Sequence, residues 1–92
     1  MFLVKVRFLS EEEGGRRVPP LSGYPPQVAV GAESTACRLI GENPQYVFKF
    51  HQEHEALLEL YFPEIYGHCF KAGDKLVFLE GSRKVGEGII IE

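Results

Sequence analysis

No apolar run in this 92-residue chain exceeds about eight residues, and almost every run is closed by a turn carrying Gly or Pro. Phe2 to Leu9 alternates, with Phe2, Val4, Val6 and Phe8 on one side and Leu3, Lys5, Arg7 and Leu9 on the other. A period of two is the signature of a strand with one buried face. "QVAV", "ACRLI", "YVFKF" and "LVFLE" are further β-like runs, separated by turn chemistry such as "GENPQ" and "KAGDK". Short strands with Gly and Pro turns between them predict an antiparallel barrel or sandwich.

Two segments need separate treatment. In "EALLELYF", Leu57, Leu58, Tyr61 and Phe62, with Ile65, fit a helical stripe, whereas Ala56, Leu58, Leu60 and Phe62 fit a strand equally well. In "VGEGIIIE", Gly86 and Gly88 predict a bulge or tight bend of the kind that barrels use to turn corners. "EGSRK" makes a hairpin-like connection into that last run, and Pro25-Pro26 before "QVAV" suits a strand entrance or a sheet edge.

The length predicts a single domain, residues 1–92, that buries only around 60 to 65% of its unfolded surface. A hydrophobic fraction of 45%, with seven Phe and four Tyr, argues against wholesale disorder. Ten Lys and Arg against thirteen Asp and Glu leave a net charge of -3, so no long-range field draws in a polyanion and any nucleic-acid contact has to be local. "MFLVKVRFLS" is interrupted by Lys5 and Arg7 and has no small-residue cleavage site, which predicts neither signal peptide nor membrane span, and hence a cytoplasmic protein. Cys37 and Cys69 have no CxxC spacing, and both are expected to be buried free thiols.

The stretch "LSEEEGGRRVPPLSGYPPQ" resembles the start of the C-terminal (third) β-barrel domain of the translation elongation factor Tu family. There an outer strand leads into an acidic Lys/Glu-Glu-Gly-Gly-Arg loop and then a Gly-Tyr-Arg-Pro-Gln segment. "LVFLEGSRKVGEGIIIE" is similar to that domain's closing hairpin, with its Arg-Glu-Gly-Gly-Arg-Thr-Val-Gly-x-Gly pattern. The resemblance covers about residues 3 to 30 and 74 to 91. Between Gly31 and Gly73 the family's Arg-Thr-Thr-Asp segment is replaced by "GAESTA", and its Pro-Gly-Asp turn is missing. The resemblance implies an all-β fold, a small closed antiparallel barrel of about six strands, with "EALLELYF" as a strand and the Pro- and Gly-rich stretch as a shaped surface loop.

It also implies a non-catalytic binding module with a link to translation and no cofactor. Nothing fits GxxxxGK[ST], so no GTP binding is expected. By position, the residues that would face the T arm of tRNA are Arg16, Gln27, Glu80 and Gly81, with Arg17 in place of a histidine. Pro25 stands where the family has arginine and Phe62 where it has a contacting lysine, so the expected partner is a protein, with tRNA-like RNA the alternative and self-association a third outcome. Tyr24, Phe62 and Tyr66 are the candidate contact aromatics. His51 and His54 at HxxH spacing and the neighbours His68 and Cys69 have zinc-ligand chemistry. On a strand, residues three apart face opposite ways, as do immediate neighbours, so neither a metal site at His51 and His54 nor a catalytic pair of His68 and Cys69 is expected.

Overall fold

A computed structural model describes residues 1–92. Six strands, β1 (Phe2–Phe8), β2 (Gln27–Val30), β3 (Glu33–Ile40), β4 (Glu53–Leu60), β5 (Lys75–Glu80) and β6 (Arg83–Ile90), close into an antiparallel barrel in the order β1-β4-β3-β2-β5-β6. One short helix, α1 (Pro63–Tyr66), follows β4, and single 3-10 turns occupy Glu11–Glu13 and Gly67–Cys69. Closure comes from β1 pairing with both β4 and β6, Val4 opposite Ala56 on one side and Ile90 on the other. The first and last strands are therefore neighbours, and no strand is left with a bare edge.

Alternation fills the interior. Val4, Val6 and Phe8 of β1 face Cys37 and Leu39 of β3, Ala56, Leu58 and Leu60 of β4, and Leu76 and Phe78 of β5, all buried. Each large side chain withdrawn from water contributes roughly 1.5–3 kcal/mol. In β4 the burial strictly alternates from His54 to Leu60, with Leu57 exposed, so the strand pattern and not the helical stripe governs "EALLEL". Tyr61 and Phe62 leave the ladder, however. Pro63 restricts the residue before it and suits the first turn of a helix, so the chain turns into α1 there.

The expected bulge is present. Phe78 pairs with Gly86 but Leu79 pairs with Lys84, so Val85 is the extra residue, and Val85 and Gly86 are consecutively buried. Gly88 has no room for a side chain: a Cβ there would lie 2.5 Å from the Lys5 carbonyl oxygen.

"YVFKF" is not a strand. Only Val47 makes a β-bridge, to Leu21, and the Phe48 amide donates to the Pro20 carbonyl at 2.8 Å. Its partner segment carries Pro19 and Pro20, which have no N–H to offer, so the ladder cannot propagate. The two connections, residues 9–26 and 41–52, instead form a cap over one end of the barrel. Phe48 is its plug, with ring centroids 5.6 Å from Phe8 and 5.2 Å from Tyr46. At the opposite end the segment after β4 returns Phe70 against Phe2, centroids 5.7 Å apart.

Candidate functional site

The first connection is shaped by its double glycine. Gly14 takes φ 90°, a left-handed conformation that costs glycine little, and closes the 3-10 turn on the Glu11 carbonyl. A Cβ on Gly15 would lie 2.1 Å from the Leu9 carbonyl oxygen, the atom that accepts the Arg16 amide at 3.0 Å. This tight return holds Arg16 beside the end of β1. Glu13 reaches back to the Ser10 amide at 3.1 Å, and that bond, with Arg7 nearby, holds its carboxyl below the usual value.

Arg16 and Glu80, expected to face RNA, and Tyr24, expected to face a protein, meet at this rim. Arg16 Nη1 and the Tyr24 hydroxyl both donate to Glu80 Oε2. The guanidinium carbon sits 4.6 Å from the centre of the Tyr24 ring, and Arg16 Nε donates to the Val18 carbonyl at 3.1 Å. Cation–π and charge-assisted hydrogen bonds act here together. Burial disfavours the charge on Arg16, but its bonds to Glu80 and Tyr24 outweigh this and raise its pKa. Burial pushes the Tyr24 phenol up, and its bond to Glu80 pushes it further. For Glu80, burial works against ionisation, yet the donors Tyr24 and Arg16, with Arg83 close by, hold the carboxyl below its ordinary value.

The other candidates surround this cluster unevenly. Gln27, exposed at the start of β2, lies opposite Leu79 and so borders Glu80. Gly81 takes φ 62° in the β5–β6 turn. Arg17 is 84% exposed with Glu11 at 3.6 Å, a solvated pair of little energetic weight. Arg83, which sequence reasoning did not single out, donates to the Gly15 carbonyl at 3.4 Å and ties the hairpin to the first connection. The neighbouring Val18 and Leu21 are exposed.

Phe62 and Tyr66 lie at the opposite end, because β4 runs away from this rim: Glu53 is opposite Arg7 and Leu58 is opposite Phe2. Tyr61, Phe62 and Ile65 are 48%, 47% and 55% exposed, and Tyr66 is half-buried against the core. The candidate aromatics therefore do not form one surface.

The histidines are separate. His54 is buried, and its Nε2–H donates to the Lys49 carbonyl at 2.9 Å, so Nδ1 accepts from the Tyr46 hydroxyl at 2.7 Å. His51, at φ 65°, is exposed with Nδ1 3.5 Å from Glu13. His68 Nε2 is 3.6 Å from Cys69 Sγ. No group of three or more His, Cys, Asp or Glu side chains is gathered to hold a metal ion. Cys37 is buried and burial pushes its thiol up to about 12, whereas Cys69 is only half-buried, contrary to the expectation for it. It lies on the 3-10 turn after α1, outside the barrel wall, which leaves part of it in water. No helix is long and apolar enough to cross a membrane. No protein-family model matches the chain.

Proposed function

We propose that this chain is a non-catalytic binding module related to the third-domain barrel of elongation factor Tu, and that its partner is a protein. The observation that carries this reading is the lip formed by Tyr61, Phe62 and Ile65, three large apolar residues exposed within five positions where β4 gives way to α1. Exposed apolar residues are ordinary when scattered; a run of them at a barrel end is the kind of surface that a partner covers. The loop and hairpin motifs that resemble the family are also those that build the Arg16–Tyr24–Glu80 rim, which supports the kinship.

Contact with RNA is the competing reading, favoured by the gathering of Arg16, Arg17, Arg83 and Lys84 at one rim. Against it, the Arg16 guanidinium already serves Glu80, Tyr24 and Val18. A phosphate would have to displace the Glu80 carboxylate, leaving Arg17 and the hairpin cations to bind through counterion release alone.

Tagged wild-type protein and a Phe62→Ser/Ile65→Ser variant, each incubated with extract of the native cell, test the first reading. A stoichiometric protein retained by the wild type and lost by the variant is expected; retention of the same set by both removes the lip from consideration. Filter binding to tRNA at low salt tests the second. Saturable binding that falls steeply with salt and is weakened by Arg16→Ala would establish RNA as the ligand instead.

A further inference from the structure

The strand register lays out a grid on the barrel's outer face. Crossing β3, β4 and β1 to the residue just past β6, one row reads Ile40, Leu57, Leu3 and Ile91, each facing outward. The next row, from β4 across β1 and β6 to β5, reads Glu55, Lys5, Ile89 and Lys75. Leu57 and Ile89 are each 40% exposed, and Leu3, Ile40 and Ile91 are half-buried. An apolar row across three neighbouring strands and the end of a fourth, on the side away from the core, breaks the inward-apolar, outward-polar alternation of a solvated barrel. The charges beside it are unspent. Lys5, Lys75, Glu53 and Glu55 are exposed and none makes an ion pair, although Lys5 and Glu55 are cross-strand neighbours.

This arrangement complements itself. A two-fold axis lying along β1 through Leu3 turns a second copy so that its β4 lies over the first copy's β6. Leu3 then meets Leu3, Leu57 meets Ile91, and Lys5 meets Lys5, a repulsion that the Glu55 carboxylates of both copies, one on each side of the axis, offset. Glu55 of each copy arrives over Ile89, between Lys5 and Lys75 of the other. Its landing place is a depression of about 400 Å³ with Lys5, Arg7 and Lys75 on its border and the acids Glu53 and Glu87 at the Arg7 side. Glu53 comes over Glu87, a repulsion that Arg7, between the two in register, offsets. We infer that this face binds a second copy of the chain, as an isologous dimer closed by the apolar row and the reciprocal Glu55–Lys5/Lys75 contacts. The surface is convex and the contact is about three strands, roughly 14 Å, wide. That is small for a specific interface, so association in the range of about 10–100 µM is expected. The inference concerns the barrel wall and does not depend on the lip after β4.

Sedimentation of the purified chain between about 5 and 500 µM provides the test. The mass should rise from 10.4 kDa toward twice that value. Leu3→Glu, which sets two carboxylates against each other on the axis, should weaken association by at least about tenfold while leaving the circular dichroism melt unchanged. Glu55→Lys alone and Lys5→Glu/Lys75→Glu alone should each stay monomeric, and an equimolar mixture of the two should dimerise, because both reciprocal contacts are then attractive. A wild type that remains at 10.4 kDa throughout overturns the inference. So does a Leu3→Glu protein that associates like the wild type, or a mixture that associates no better than its components.

Discussion

A single methyl group on Gly15 would be placed 2.1 Å from the Leu9 carbonyl oxygen, a backbone atom that cannot rotate away. Gly15→Ala should therefore cost about 3 kcal/mol or more, read as a lowered urea midpoint, with the return of the chain toward Arg16 as the first feature to distort. A second expectation concerns Glu80. Its folded pKa lies below the unfolded value near 4.5, so the stability it contributes is complete above about pH 5 and lost as pH falls through 4.5 and below. Glu13, lowered by the Ser10 amide, acts with the same sign. Melting temperature measured from pH 7 down to pH 3 should fall, and Glu80→Gln should flatten that fall while lowering stability at pH 7. The sequence named Arg16, Tyr24 and Glu80 individually but not their meeting. Arg16 and Glu80 stand 64 positions apart, and only barrel closure brings them together.

At the level of the element, alternation made most strands legible, and the failures have a common cause. β1 and the β5–β6 hairpin with its bulge followed from period and glycine placement alone. β4 was undecided by pattern, because Leu57 and Leu58 serve both templates, and the family resemblance was needed to choose. "YVFKF" had strand composition but no partner able to pair with it, a fact written in Pro19 and Pro20, far from the segment itself. The apolar pattern ran two residues too far, to Phe62, because the effect of Pro63 acts backwards along the chain. The strand assignment of β4 predicts sharply different neighbours: Leu58→Ala should cost about 2–5 kcal/mol by leaving a cavity, whereas Leu57→Ala should change stability by no more than about 0.5 kcal/mol at monomeric concentration. Chemical denaturation of the two variants side by side checks this.

For the molecule as a whole, the barrel and its cap form one body, 34 × 28 × 21 Å across, with a single core running from Phe48 at one end to Phe70 at the other. The two thiols report on that body separately. Cys69, half-buried, should react with a thiol reagent in the native state. Cys37, enclosed and held protonated, should react only at the rate of global unfolding, so one equivalent is consumed quickly and the second only with denaturant or time. Biphasic kinetics are the expected readout; two fast equivalents would mean that β3 opens locally.

The pairing of β1 with β6 also has a consequence for how the protein is made. The ribosome delivers β1 some eighty residues before the strand that completes the ring, a wait of about 4 to 16 seconds at ordinary elongation rates. Throughout that interval one flank of the nascent β1 lacks its native neighbour, so polysomes crowded with this message are where chaperone occupancy should be greatest.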